Sequence, residues 1–398
     1  MLFRSFTQNV GSRDSDGNAT SIGDFSITRG GKGGAVTEMA DGAVRLTRTY
    51  DNHGRFASST LATADGATPL YATWVVAYSK TGAVDEREEA VLDESAAIET
   101  FTRDPAEGGR VTAISAGGHS TPWTWDAAGN RTARDGVVST YGSGDRLTAI
   151  DGTAVTTNSD GYVTAEGATR SYAYSPSGEL TSATVGGTTV TYRYDAFGRR
   201  VQRADPAGTT TYVYANPDDF LRITASRYTP TAGSEEISIY TYDGDGRLLA
   251  IDRGPALDST TRYYVGSDHL GSPRIIVSVT GGVPTTVWRA AYAADGTETV
   301  SVGDGTFHMP IGFAGGLRDW TTGFVRFGAR DYDPRTARFT TPDPSLFSGS
   351  PLNLYDYAAG DPISNVDPSG LACVGAGLGA VAYFGSSFCQ DSEGKSSL

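Results

Sequence analysis

Residues 188–214 read TTVTYRYDAFGRRVQRADPAGTTTYVY, and this stretch decides the fold. It opens on the alternating run TTVTYRY (188–194) and ends on a second, TTTYVY (209–214). Alternation with a period of two puts one set of side chains on each face of a sheet. Between the runs, Asp195 is followed three residues later by Gly198. Asp can accept hydrogen bonds from the backbone two residues on, and Gly takes a positive φ without steric cost. The stretch therefore predicts a β-hairpin.

The same phrase, an aromatic followed by Asp or Ser, two free positions and Gly, recurs along the chain. It appears as YDNHGR at Tyr50, WDAAGNR at Trp125, YSPSGEL at Tyr174 and YDGDGRL at Tyr242. Tyr174, Tyr194 and Tyr214 follow one another at 20-residue steps. A lone hairpin is marginal in water, so repeated hairpins have to stack edge to edge. An ordinary β-sandwich with tyrosine-rich strands is the alternative architecture. The segment EREEAVLDESAAIETF (86–101) is the one good helical candidate; elsewhere breakers come too often for helices of normal length.

Composition agrees with a turn-rich β protein. Of 398 residues, 51 are Gly and 21 are Tyr, and only 3 are Met. The net charge of −14 argues against a nucleic-acid partner, because a phosphate-binding surface needs clustered Lys and Arg. His53, His119, His269 and His308 are scattered, with no metal-ligand spacing, and no phosphate-cradling Gly motif or Gly-x-Ser-x-Gly elbow occurs, so no metal or cofactor is expected. For His269, in DHLGSPR, a turn role is expected. Both cysteines, Cys373 and Cys389, lie near the C-terminus. The thiol-free remainder is compatible with export, although MLFRSFTQNVGSRDSDG has no apolar core of signal-peptide length.

Further blocks carry a resemblance to a known family. They are YDGDGRLLA (242–250), DHLGSPR (268–274), ARDYDPRTARFTTPDP (329–344) and LNLYDYAAGDPISNVDPSGL (352–371). With the YD phrases, in this order, they make the chain resemble the Rhs/YD-repeat proteins, which include the Tc toxin C subunit and the teneurin YD shells. The resemblance implies a mainly β fold with little helix: a spiral of antiparallel hairpins forming a hollow shell, complete or incomplete, with one end closed by an Rhs repeat-associated core. It divides the chain into a diverged YD region (1–171), YD/Rhs repeats of the shell (172–310), the core (311–371) and a variable tail (372–398).

Family members commonly enclose a C-terminal polypeptide, often a toxin, and cut their own chain after the Leu of Asp-Pro-x-Gly-Leu. Here that bond is Leu371–Ala372, within a turn bearing Pro368 and Gly370. The matching proteolytic pair is Asp343, before Pro344, and Asp367, assisted by Arg330 with Asp331 beside it. Peptide hydrolysis by two carboxylates needs one as base toward water and one as acid, close enough to share a proton. Read without the family, Asp before Pro is a turn dipeptide, and the chain has others at Asp104, Asp205, Asp333 and Asp361. The first motif departs from the family in reading DPSLFSG, with Leu346 where Gly is usual and Gly349 as a substitute. The implied partners are the chain's own C-terminal cargo and a secretion system or neighbouring shell. The implied location is secreted or cell surface, as for a bacterial polymorphic-toxin carrier.

The tail after Leu371 has 27 residues, too few for a folded toxin, and runs uncharged from 371 to 389. A membrane-inserting segment and a Cys373–Cys389 disulfide are open readings of it. Two other functions compete: a non-enzymatic surface protein whose aromatic rows bind carbohydrate or neighbouring cells, and a truncated Rhs fragment.

Overall fold

The computed structural model describes residues 11–92, 94–105, 109–217, 219–303, 307–345, 353–371 and 374–375. Among them, 27 strands from Ser21–Ile22 to Glu298–Val302 form one antiparallel sheet. Each strand pairs with its neighbours in sequence, and the sheet does not close on itself.

The YD phrase builds a uniform turn. In YDAFGRR, Asp195 Oδ1 accepts the amides of Phe197 (2.9 Å) and Arg199 (3.1 Å), and Gly198 N donates to Asp195 O at 3.1 Å. Gly198 takes φ +74°, and the ladder skips one residue between Arg193 and Tyr194 so that Tyr194 faces Arg200. This is a type I turn with a glycine bulge, whose extra twist helps the sheet curl. Asp51, Asp126 and Asp243 make the same pair of amide bonds.

Aromatics at the ends of these strands reach backwards along the chain. Tyr194 donates its hydroxyl to Leu180 O (2.7 Å), Tyr214 to Arg200 O (2.8 Å), Tyr50 to Val36 O (2.9 Å), and Trp125 Nε1 donates to Val111 O (2.8 Å). Each acceptor lies 14 residues upstream. Each unit thereby ties its turn to the preceding hairpin, with a net worth of about 1 kcal/mol per bond.

The curled sheet brings early strands onto late ones. Phe25, Leu46, Leu70 and Tyr71 share a core with Leu249, Tyr264, Ile275 and Val277. Turn aspartates complete this packing with their second oxygen. Asp243 Oδ2 meets Arg48, Asp295 Oδ2 meets Arg131 (2.9 Å) and Arg134 (2.7 Å), and Asp319 Oδ2 meets Arg203 (2.8 Å).

The helix expected over 86–101 does not form. Val84–Val91 and Ala97–Asp104 are paired strands. Arg87 and Glu89, two apart, sit on the buried face; Glu89 pairs with Arg274 at 2.5 Å and Arg87 lies 3.7 Å from Asp268. Arg87 also pairs with Glu99 on the adjacent strand, and pairing with both neighbouring strands together with these distant partners overrides the local helix preference of this Glu-rich stretch. His269 lies in the turn after Asp268, its ring buried and its Nε2–H donating to Ile363 O at 2.8 Å.

The 171/172 division falls inside the strand Arg170–Tyr174, and the sheet runs through it unbroken. After Val302 the chain leaves the sheet. The segment from 307 carries a four-stranded sheet, Leu317–Arg318, Val325–Phe327, Arg330–Asp333 and Arg338–Phe339. Its Phe313, Phe327, Tyr332, Phe339 and Tyr357 pack against Tyr212, Tyr240, Ile251 and Trp288 of the large sheet. Arg103–Asp361 (2.8 Å), Asn353–Asn130 (2.7 Å) and Arg335–Glu166 (2.7 Å) tie the same segment to the N-terminal half.

Candidate functional site

The site begins with two interlocked turns. Val325–Phe327 and Arg330–Asp333 form a hairpin, and Asp367–Gly370 is the second turn. Ala329 N donates to Ser369 O at 2.9 Å. A Cβ on Gly328 would collide with Ser369 O, and one on Gly370 would collide with Phe327 O. Gly370 also stands at φ +67°, so both space and backbone demand glycine there.

Neighbouring strand residues point to opposite faces, and this separates Arg330 from Asp331. Asp331 faces the large sheet, where its oxygens accept from Arg200 (2.7 Å) and Arg326 (2.8 Å). Those guanidinium groups stack on Tyr192 at 4.0 Å and Tyr194 at 4.6 Å. Asp331 is thus an anchor between layers, on the other side of the strand from the remaining candidates.

Arg330 gathers the others. Its Nη2 lies 2.9 Å from Asp343 Oδ2 and 3.5 Å from Asp367 Oδ2. Its Nε donates to Gly370 O and its Nη1 to Leu354 O at 2.9 Å, while the Phe339 ring lies 3.7 Å below. Arg330, Asp343 and Asp367 are each 3% exposed. Both carboxylates therefore converge on one nitrogen, out of water. Two turn aspartates share one guanidinium here, as Asp205 and Asp319 share Arg203, but at Arg330 both meet the same nitrogen.

The other oxygen of each carboxylate holds its own turn. Asp343 Oδ1 accepts Ser345 N (2.8 Å) and Ser345 Oγ–H (2.5 Å). Asp367 Oδ1 accepts Ser369 Oγ–H (3.1 Å) and Leu371 N–H (3.1 Å), placing the last residue of the motif directly on a carboxylate. Pro344 is exposed and Pro368 partly buried, each fixing the backbone behind its Asp. Ala372, Leu346, Gly349, Cys373 and Cys389 lie outside the described residues, as does nearly all of the tail.

Burial pulls the proton affinity of Arg330 down, against the charges of Asp367, Asp343 and Asp356, which raise it. Asp356 was not singled out in the sequence. Burial pushes its carboxyl up to about 6, despite Arg110, Arg338 and Arg330 nearby. It hides inside Tyr355-Asp356-Tyr357, which reads as one more YD phrase. Ser345 and Ser369 were missed as well, although their signal was available: both motifs read Asp-Pro-Ser. Among the described residues, no three His, Cys, Asp or Glu side chains gather where they could hold a metal ion, and no helix is long and apolar enough to cross a membrane.

Several known proteins are similar to this chain. Teneurin-3 of Danio rerio is 31% identical over 234 residues, 57% of this chain and 8% of the relative. Teneurin-1 of Gallus gallus matches to the same extent, at 31% identity. The tRNA3(Ser)-specific nuclease WapA of Bacillus spizizenii is 27% identical over 263 residues, 62% of this chain and 11% of the relative. In the crystal structure of TcdB2-TccC3-Cdc42, one chain superposes with a TM-score of 0.72 at 15% identity, over 90% of this chain and 20% of that one. TcdB2-TccC3-TEV gives 0.54 at 16% identity, over 92% of this chain and 24% of that one. At such identities the structures speak for the fold alone, and this chain spans about a tenth of the matched curated relatives. The teneurin YD-shell family model matches residues 6–363, and the chain belongs to that family of Rhs/YD-repeat shells.

Proposed function

We propose that the protein is the carrier part of a secreted or surface-delivered effector. Its open β-shell holds a C-terminal polypeptide beginning at Ala372 and releases it by cutting its own chain after Leu371. The core, 311–371, supplies the cutting site, and repeats 172–310 with the diverged region 1–171 supply the wall. Cargo, delivery machinery and a neighbouring shell are the partners this reading requires.

The observation that carries it is the convergence of Asp343, Asp367 and the Gly370 carbonyl on buried Arg330, with the Leu371 amide on Asp367. Both carboxylates lie against one guanidinium, close enough to divide the roles that hydrolysis needs, one as base toward water and one as acid. The ionised carboxylate takes a proton from water as its oxygen attacks the Leu371 carbonyl carbon. The protonated one supports the developing oxyanion, and a proton passes to the Ala372 nitrogen as the C–N bond breaks. Attacked bond and acids belong to one folded chain, so orientation costs no encounter and one turnover is enough.

A second reading has an observation of its own. Elsewhere in this fold, Asp–Arg contacts of the same form bind layers together, as Asp295 does with Arg131. The Arg330 node could serve only in that way, in a non-enzymatic shell that binds carbohydrate or cells. An affinity tag placed after Leu398 separates the two. Self-processing predicts that the tag and the shell run apart on denaturing gels in the wild type and together in Asp343→Asn and Asp367→Asn. A tag that stays joined in the wild type leaves the purely structural shell.

A further inference from the structure

The paired Asp-Pro-Ser triplets carry an inference that rests on the self-processing reading and goes one step deeper. Each serine lies two residues after its aspartate and donates its hydroxyl to the Oδ1 of that aspartate, at 2.5 Å for Ser345 and 3.1 Å for Ser369. In both triplets this leaves Oδ2 to face Arg330. A carboxylate rotates about its terminal bond with little resistance, so without the hydroxyl its two oxygens are less distinct. Ser369 does more than hold its aspartate. Its Oγ also accepts the Leu371 N–H at 3.1 Å, so the amide of the residue to be cut is shared between Asp367 Oδ1 and Ser369 Oγ. Donating to Asp367 and accepting from Leu371, the hydroxyl fixes carboxylate and peptide against each other.

We propose that Ser345 and Ser369 are positioning residues for scission after Leu371, with Ser345 orienting Asp343, and Ser369 orienting both Asp367 and the Leu371 peptide. Neither serine forms a covalent bond in the reaction. Because both serines hydrogen-bond the carboxylates that handle the protons, their loss is read in the pH profile of cutting as well as in its rate. The serines are unequal. Ser345 also holds Asp343 through its backbone amide (2.8 Å), which survives substitution, whereas the contact of Ser369 with Asp367 is through the hydroxyl alone.

The test follows cutting in the full chain, made by pulse-labelled cell-free synthesis and quenched at intervals, from pH 5 to 9. Ser369→Ala is expected to slow formation of the product ending at Leu371 by about 10- to 100-fold, the scale of a small misplacement of reacting groups, and to shift the pH profile. Ser345→Ala should slow it less. Ser369→Thr, which keeps the hydroxyl, should restore most of the rate, and thermal melts of all three should match the wild type, so that misfolding does not explain a slow variant. Wild-type rate and pH profile in both alanine variants, while Asp343→Asn and Asp367→Asn stay uncut, would overturn the serine assignment and leave the carboxylate site standing. Cutting at the wild-type rate in the two Asn variants would remove both.

Discussion

Replacing Arg330 with Met keeps the length of the side chain and removes its charge and its donors. The wild-type guanidinium meets Asp343 at 2.9 Å, Asp367 at 3.5 Å, Leu354 O at 2.9 Å and Gly370 O, all in a site closed to water. The substitution strands two buried carboxylates, and removing one partner of a buried ion pair costs about 3–5 kcal/mol. With unfolding entropy near 2.1 cal/mol/K per residue over most of this chain, that corresponds to a fall in Tm of roughly 4–7 °C. The sign of the pH dependence follows from linkage. Without the cation, the carboxylates of the variant hold a proton more tightly folded than unfolded. Their favourable contribution is then present in acid and lost as pH rises. The deficit against the wild type should be widest near pH 7.5 and close toward pH 4. Calorimetry on chains ending at Leu371 keeps scission out of the comparison. A Tm within about 1 °C of the wild type at pH 7.5, or a deficit that does not change with pH, would refute the view that Arg330 neutralises this pair.

Two further outcomes test the parts around it. Asp356, held at about 6 by burial, favours its protonated form in the fold, so the wild type should lose stability as pH climbs from 4 through 6, by at most about 3 kcal/mol. Asp356→Asn should flatten that slope and melt higher at pH 7.5; an unchanged slope in pH-dependent melts would exclude this assignment. Tyr214→Phe removes one bond to a carbonyl 14 residues upstream and should cost about 1 kcal/mol in urea titrations, and Tyr194→Phe, which also removes an acceptor of Arg200 (3.0 Å), should cost more. No change in either would mean that the tyrosines tie nothing together.

What was legible in the sequence is what is local. The turn at Asp195 is made by residues within five positions, and the bonds of Tyr50, Tyr194 and Tyr214 repeat at one offset, so repeated phrases disclosed hairpins and their stacking. Arg87 and Glu89 were misread as helical because the contacts that hold them are across strands, Arg87 to Glu99 on the next strand and Glu89 to Arg274 across the curled sheet. Asp331 looked like part of the site beside Arg330, and only the alternation of the strand and the distant Arg200 turn it away. The convergence of Asp343 and Asp367 was suggested by resemblance, but that they share one guanidinium depends on a hairpin that no spacing reveals. Asp356 was masked by its own repeat-like setting.

The intact mass of freshly made wild-type protein is the most direct test of self-processing. The account predicts one species whose mass fits a chain ending at Leu371, together with the released tail, and a single uncut mass for Asp367→Asn. An uncut wild type, or a break at any other bond, would contradict it.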